Sequence, residues 1–278
     1  MIMALFNYDL VKNLFHKFFL IIRFIYKSRI KIIKAENFYK LSKQKIDLEY
    51  DLRMCTFFTQ EFPNNQLINL KSSSHSSKYE DLVAAHLLSF KKGGFFVEIG
   101  AGNGVNGSNT LLFERFFDYT GLLVEPAKIF HAQLFANRPQ ALISTNPIFD
   151  RSGVVIDFQE TTIPTLSTFK EFLDKDKNSK NRKISNSYRL LTISLNELFS
   201  SFKVPKDIDF LSIDTEGTEF MILNSFNFKG YRIKVICVEH NYTDNRNKIH
   251  KLLTKNKFRR RFDQISGIND FYVNEDYS

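Results

Sequence analysis

Short apolar runs that alternate with helical segments constrain the fold of this 278-residue chain more than any other feature. Four runs are apolar almost throughout, at residues 95–99, 121–125, 208–213 and 233–238. Strands of this kind, when helices connect them, form a parallel sheet that is covered on both faces. The pattern also predicts weaker strands at 141–144 and 154–158, and two closing strands between 258 and 273.

Composition excludes several other classes of protein. Hydrophobic residues make up 43% of the chain and charged residues 25%, which fits neither a disordered nor a fibrous protein. Cys55 and Cys237 are the two cysteines, too few for a disulfide framework or a cysteine-rich zinc site. This cysteine content is compatible with a reducing compartment, and we expect a cytoplasmic protein. The length suits one large domain with an appendage.

The amino-terminal segment carries most of the positive charge. Residues 1–45 hold ten Lys or Arg and two Asp or Glu, a net +8 of the formal +9 of the whole chain. Polar side chains recur at helical spacing between residues 9 and 34, beside a wide apolar face. Within the strongest apolar stretch, residues 14–26, the longest uninterrupted apolar run is residues 18–22, whereas a membrane-spanning helix needs about 20 apolar residues.

An amphipathic helix at 9–34 has two interpretations. It suits an anionic membrane surface, which would make the protein peripheral at a membrane. Alternatively, its apolar face packs on the protein's own core or on a second subunit. Nucleic acid fits less well, because an RNA-binding arm would be polar throughout, with singly spaced aromatic residues.

The pattern predicts two regions. Residues 1–74 form the basic amphipathic helical extension and a linker, which ends in a serine-rich run at 71–78. Residues 75–278 form the main domain. Within it, residues 174–187 are rich in Lys, Asn and Ser and have no apolar face, so we expect a mobile insertion over 163–190.

A glycine-rich turn follows the first strong strand. Gly100, Ala101, Gly102 and Asn103 lie between that strand and a helix that begins near Asn109. Parallel sheets bind ligands at the carboxyl ends of their strands, and the first strand-to-helix turn is a common place. Glycines there let a ligand approach the backbone, and the start of the helix offers free N–H groups. These five residues are therefore candidates for cofactor binding.

Two cofactors compete for this turn. A dinucleotide site would place a third glycine where Val105 stands, and it needs no carboxylate inside the strand. S-adenosylmethionine (SAM) carries an ammonium and a sulfonium, and Glu98 supplies a negative group beside such a ligand. Glu125, which ends the second strand, is placed to accept hydrogen bonds from both ribose hydroxyls. Asp150 is a candidate partner for the adenine amine. For Glu98 or Glu125 alone, a salt bridge at a strand end is the alternative.

Acidic residues also follow the two later strands. Asp214 and Glu216 come where the strand at 208–213 stops, so they should project into the same cleft. Glu216 could instead stabilise the start of the next helix. Glu239, His240 and Asn241 end the following strand.

These blocks together resemble the FkbM-type family of SAM-dependent methyltransferases. The matching motifs lie in order at residues 97–104, 107–110, 124–126, 208–219 and 238–240, and Tyr79-Glu80-Asp81 resembles the acidic motif that opens the family's domain. The resemblance implies a class I methyltransferase fold: a doubly wound, mostly parallel seven-stranded Rossmann-like sheet with a final antiparallel strand. It also implies O-methylation, often of sugar or natural-product hydroxyls, with SAM as the methyl donor.

Methyl transfer to a hydroxyl requires that the acceptor lose a proton. Asp214, Glu216 and His240 are the candidate catalytic bases. A divalent metal held by Asp214, Glu239 and Asn241 is the alternative, since oxygen ligands from two neighbouring strand ends suit Mg²⁺.

We therefore expect a SAM-dependent O-methyltransferase that acts on a sugar, a glycan, a glycolipid or another small molecule. One alternative is a non-catalytic membrane-associated or scaffold protein that retains the fold. A nucleic-acid methyltransferase draws on the positive charge, including residues 259–261, but most of that charge lies in the amphipathic segment. An NAD-dependent oxidoreductase fits the turn least well.

Overall fold

The computed structural model describes residues 50–54, 56–57, 60 and 70–277. The chain divides into two units, residues 1–61 and 62–278. The described residues of the first unit are helical. The predicted amphipathic helix at 9–34, and the membrane contact assigned to it, lie outside the described residues. Among the described helices, none has the length and apolar character needed to cross a bilayer.

The second unit is built from six α-helices and twelve strands within residues 70–277. The helices are α1 (Glu80–Leu87), α2 (Leu111–Phe116), α3 (Lys128–Asn137), α4 (Leu195–Ser201), α5 (Glu219–Ser225) and α6 (Asn245–Lys255). The strands are β1 (Gly94–Ile99), β2 (Tyr119–Val124), β3 (Leu142–Ser144), β4 (Ile148–Phe149), β5 (Val155–Thr161), β6 (Thr168–Phe169), β7 (Ile184–Leu191), β8 (Ile193–Ser194), β9 (Asp207–Ile213), β10 (Arg232–Glu239), β11 (Phe258–Arg261) and β12 (Asn269–Asn274).

Seven of these strands form the main sheet, in the order β3-β2-β1-β9-β10-β12-β11. The neighbours from β3 to β10 pair in parallel, and β12 is antiparallel to both β10 and β11. The predicted doubly wound, mostly parallel seven-stranded sheet is confirmed. From β1 the order continues to β2 and β3 on one side, and from β9 it continues to β10, β12 and β11 on the other, so the direction of winding reverses between β1 and β9. Such a reversal leaves a crevice at the carboxyl ends of the strands.

Alternating side chains pack the sheet against helices. Val97 and Leu211 belong to one buried cluster with side chains of α4, α5 and α6, such as Phe199. Residues one position earlier on the same strands are also buried, and Phe210 meets Phe113 of α2 with ring centroids 5.2 Å apart. Burial of each such side chain stabilises the fold by about 1.5–3 kcal/mol. The two central strands are therefore buried on both faces, as continuous apolar runs require.

The predicted strand at 154–158 exists, but it does not join the main sheet. It is part of β5, which pairs antiparallel with β6 and β7 in a separate three-stranded sheet. Residues 163–190 therefore contain β6 and all but the last residue of β7, and the mobility predicted for this insertion stays a prediction. Phe158 and Phe169 pack with Phe149, and Tyr188 packs against the same cluster. The sequence did not indicate this small sheet, because the first half of β7 is mostly polar and its contacts with the apolar cluster come only from residues near its end, Tyr188 and Leu190.

Candidate functional site

A cavity of about 540 Å³ lies at the carboxyl ends of β1, β2, β9 and β10. Its volume falls within the range of about 300–1,000 Å³ that is usual for ligand pockets. The glycine turn after β1 forms one part of its wall. Charged and amide residues in the wall are Asn106, Glu125, Lys177, Asn178, Asp214, Glu216, Glu239 and Asn241.

Gly100 packs the turn directly against the neighbouring strand end. The Gly100 N–H donates to the Val124 carbonyl at 2.9 Å, and the Asp214 N–H donates to the Ile99 carbonyl at 2.9 Å. Gly100 has a φ of +90°, and a Cβ there would collide with the backbone oxygen of Asp214. Both the conformation and the close approach therefore require glycine at this position.

Gly102 faces the cavity itself. It lines the wall together with Gly100 and Ala101, and its φ is +53°. A Cβ on Gly102 would meet no atom within 4 Å. Its N–H donates to Oε2 of Glu125 at 2.7 Å. The missing side chain leaves open space beside the backbone, as a cofactor cradle requires.

Glu125 is buried, yet it lines the cavity. Its Oε2 accepts from Gly102, and its Oε1 accepts from the Ala127 N–H at 2.7 Å. A carboxylate oxygen has two lone pairs, so each oxygen can accept one more hydrogen bond. Burial raises the pKa of Glu125 to about 7. The residue lies where a ribose contact was predicted, and that contact stays a prediction.

Glu98 is not part of the cavity wall. Its Oε1 accepts from the Asn109 N–H at 2.6 Å, and its Oε2 accepts from the hydroxyls of Ser108 and Thr110 at 3.0 and 2.6 Å. Burial raises the pKa of Glu98, and the charge of Arg138 opposes that rise. Glu98 thus holds the loop before α2, and its predicted place beside SAM stays a prediction.

Asn103 and Asn109 also act on the loop. Oδ1 of Asn103 accepts from the backbone N–H groups of Val105 and Asn106, and Asn109 donates from Nδ2 to the Ser212 hydroxyl at 2.9 Å. Neither asparagine is in the cavity wall. Both asparagines therefore shape the turn, and their predicted role in cofactor binding stays a prediction.

Asp150 lies beyond the wall. Its nearest cation is Arg151, at 3.7 Å, and its neighbours Pro147 and Ile148 line the cavity while Asp150 does not. The predicted contact between Asp150 and an adenine amine stays a prediction, because Asp150 does not line the cavity.

Three carboxyl groups converge on the opposite part of the wall. Asp214 follows β9, Glu216 lies two residues later, and Glu239 ends β10. One oxygen from each of these residues lies within 4.8 Å of the others. Hard divalent cations take such oxygen sets, so this cluster can hold either a proton or a metal ion.

Burial and mutual repulsion set the protonation of this cluster. Burial raises the pKa of Asp214 well above its usual value, and the charges of Glu216 and Glu219 raise it further. Burial and the charge of Asp214 do the same to the pKa of Glu239. Burial raises the pKa of Glu216 to about 7, although Arg182 opposes the rise. The three carboxyl groups therefore bind protons more tightly than exposed carboxyl groups do.

Arg182 fixes Glu216 to the small sheet. Its Nη2 donates to Oε2 of Glu216 at 2.6 Å, and its guanidinium makes two bonds of 2.7 Å to Asp176. It also donates to the carbonyls of Leu166 and Leu173. Residues 164–167, 169, 177 and 178, which precede this arginine, line the cavity, and Asn178 also donates from Nδ2 to Oε2 of Glu216 at 3.4 Å.

The structure separates His240 from Asp214 and Glu216. His240 does not line the cavity; it lines a second depression beside Glu219. Its Nδ1 accepts the Tyr242 N–H at 3.0 Å, and its Nε2 lies 3.6 Å from Asp270. With both ring nitrogens directed at these groups, His240 is not placed to take a proton from a ligand in the cavity.

Sequence reasoning missed two arginines that organise the site. Arg138 is completely buried and donates to the Gly104 carbonyl at 3.1 Å and to Ser108 at 3.2 Å. Arg182 is the second. Arg138 stands beside the end of a helix, and Arg182 stands in a polar run. Exposed cations are common at both kinds of place. The sequence therefore carries no signal that separates them from surface charges.

The strand order and the glycine turn define a class I methyltransferase fold. The family model of the methyltransferase FkbM domain matches residues 98–266, more than half of the chain. The chain therefore belongs to this family of SAM-dependent methyltransferases, as its motifs indicated. Comparison with curated proteins finds no match.

Solved structures resemble the chain at low identity. A precorrin-6y C5,15-methyltransferase from Geobacter metallireducens is 10% identical, with a TM-score of 0.40 over 72% of this chain and 89% of its own. TrmK of M. capricolum, bound to S-adenosylhomocysteine, is 8% identical, with a TM-score of 0.38 over 70% and 69%. A TehB-like SAM-dependent methyltransferase from Corynebacterium glutamicum is 10% identical, with a TM-score of 0.37 over 77% and 97%. The family assignment rests on the family model and not on these structures.

Proposed function

We propose that this protein transfers the methyl group of SAM to a hydroxyl oxygen of a sugar, a glycan, a glycolipid or another small molecule. The observation that carries the proposal is a single cavity with two chemically different parts. One part is the glycine turn with Glu125, and the other is the carboxyl cluster of Asp214, Glu216 and Glu239.

The first part suits the methyl donor. The open space at Gly102 admits a ligand to the backbone, and Glu125 retains one free acceptor position on each oxygen. Two neighbouring hydroxyls of a ribose match two such acceptors. These residues bind and orient the donor, which supplies the methyl carbon.

The second part suits a hydroxyl acceptor. As the acceptor oxygen bonds to the methyl carbon, the carbon–sulfur bond breaks, its electron pair stays on sulfur, and the hydroxyl proton must leave. A carboxylate with a raised pKa accepts that proton more readily than an ordinary one. Asp214 is the base that we favour, because burial and two neighbouring acids raise its pKa.

The same cluster disfavours an amine acceptor. Several carboxyl groups stabilise a bound ammonium, whose nitrogen has no lone pair with which to attack. A hydroxyl is neutral at the pH of the reaction and keeps its lone pairs. The charge of the cluster therefore supports O-methylation over N-methylation.

The test is a labelled-methyl assay with SAM against glycans, glycolipids, small alcohols and matched amines. We expect transfer to at least one hydroxyl acceptor and none to its amine counterpart. Asp214→Asn should lower turnover at least about 100-fold, the lower range for a lost general base, while it leaves SAM affinity within about twofold. Asp157→Asn, an exposed acid on β5, is the matched control and should keep full activity. Transfer to amines alone, or a fully active Asp214→Asn, would contradict the proposal.

A further inference from the structure

Two buried oxygen atoms of the cavity are left without partners. They are Oε2 of Glu239 and Oδ1 of Asn241, on residues that are 3% and 6% exposed. Neither atom receives a hydrogen bond from any residue between 70 and 277 that the structure describes. Both residues line the cavity that Asp214 and Glu216 also line. Buried acceptors are nearly always satisfied, so this pair indicates an occupant.

The backbone places Asn241 for this purpose. After β10 the chain takes two consecutive left-handed residues, Asn241 with a φ of +44° and Tyr242 with a φ of +58°. The N–H groups of His240 and Asn241 both donate to the carbonyl of Ile268, at 2.8 and 3.3 Å. This turn keeps Asn241 in the wall of the cavity instead of letting it continue along the strand.

The donor set has the composition of a cation site. Asp214, Glu216 and Glu239 each offer an oxygen within 4.8 Å of the other two, and Asn241 offers an amide oxygen. Two oxygens on opposite sides of one ion lie about 4 Å apart for Mg²⁺ and about 5 Å apart for Ca²⁺, twice the usual metal–oxygen distances. Oxygens within 4.8 Å of one another can therefore share one hard divalent ion, directly for Ca²⁺ and after a small inward shift of a side chain for a smaller ion such as Mg²⁺.

Charge balance favours the same occupant. Arg182 already neutralises one oxygen of Glu216. Asp214 and Glu239 share a side-chain hydrogen bond while one of them is protonated, and they repel each other once both are charged. An amide at position 241 adds an oxygen ligand without a further negative charge, as metal sites with carbonyl ligands do.

We propose that Asp214, Glu239 and Asn241 bind one hard divalent cation, such as Mg²⁺ or Mn²⁺, with Glu216 beside it. The site itself needs no assumption about the reaction. Its role rests on the proposed function: an ion here would bind the acceptor hydroxyl and lower its pKa, and Glu216 beside the ion would take the proton in place of Asp214.

The test measures metal binding alone, by the loss of the free Mn²⁺ signal in electron paramagnetic resonance on the full chain without SAM or acceptor. We expect one Mn²⁺ per chain, displaced by Mg²⁺. Loss of a residue that only orients a metal ligand lowers metal affinity about 10- to 100-fold. Asn241→Leu and Glu239→Gln change the proposed ligands themselves, so each should weaken Mn²⁺ binding at least tenfold. Asn241→Asp, which keeps an oxygen ligand, should bind as tightly as the wild type or more tightly.

Matched controls are Asn227→Leu and Glu197→Gln, which change exposed residues away from the cavity and should not alter Mn²⁺ affinity. Circular dichroism checks that each variant folds. If Asn241→Leu does not fold, the Mn²⁺ affinities of Glu239→Gln and Asn241→Asp test the site. No bound Mn²⁺ in the wild type, or equal affinity in the ligand variants, would overturn the site. Bound Mn²⁺ without any methyl transfer to hydroxyls would instead contradict the proposed function and leave the metal site intact.

Discussion

Burial changes the acid–base behaviour of single residues in the cavity, and Glu125 shows this most directly. Its pKa is raised to about 7 by burial, against 4.5 for an ordinary glutamate. Between these values the folded chain keeps a proton that the unfolded chain has released. The free energy of unfolding that this group contributes therefore falls by about 1.4 kcal/mol per pH unit as pH rises, and the loss is complete above pH 7.

Glu125→Gln removes that contribution. We expect the wild type, measured without ligand by urea unfolding from pH 5 to 7, to lose stability relative to Glu125→Gln at about 1.4 kcal/mol per pH unit. Groups that do not interact with Glu125 titrate equally in both proteins, so the difference reports Glu125 together with its acidic neighbours Glu98 and Glu160. Parallel stability curves for the two proteins would show that Glu125 titrates normally in the fold.

Gly102 provides a second prediction at the scale of one residue. Gly102→Ala should cost about 1–2 kcal/mol of stability, because alanine is strained at its φ of +53°. The added methyl group would also stand in the cavity and weaken SAM binding at least about tenfold, which calorimetry measures. Gly153→Ala is the matched control, since Gly153 has a φ of +78° and equally open space but lies outside the cavity wall. Equal SAM affinity in both variants would contradict the cradle assigned to Gly102.

At the scale of elements, one buried arginine joins the small sheet to the turn after β9. Arg182→Met would leave Asp176 and Glu216 as buried acids without their cation, and broken buried pairs cost about 3–5 kcal/mol. We expect faster hydrogen exchange over residues 163–190 and little change in β1 and β9. Arg189→Met, an exposed arginine on β7, is the control. Uniform exchange changes across the chain would mean that Arg182 supports the whole domain and not this connection.

The elements also show how far a sequence can be interpreted. The central strands and their acidic ends were predictable, because continuous apolar runs and the residues that terminate them are local features. The small sheet was not, because β5 pairs with β7 across a polar segment that has no period of its own. The position of Glu98 was also unpredictable, since the choice between ligand and loop depends on Ser108 and Thr110 approaching it in three dimensions.

At the scale of the whole molecule, the strand order brings distant parts of the chain to one crevice. The glycine turn and Glu125 arrive from β1 and β2, and the carboxyl cluster arrives from β9 and β10, about 90 residues later. Because β1 and β9 are neighbours, the glycine turn and Asp214 lie at adjacent strand ends in the wall of one cavity. This adjacency can bring a methyl carbon and an attacking oxygen within reach, which supplies much of the acceleration in a displacement reaction.

Calorimetric titration of the full chain with SAM shows whether this crevice holds the methyl donor. We expect saturable binding of one SAM per chain. Glu125→Gln, which loses hydrogen bonds to a charged acceptor, should weaken binding about tenfold or more, and the exposed control Glu197→Gln should leave it unchanged. Absence of binding in the wild type, or identical affinity in Glu125→Gln, would contradict this placement of the donor.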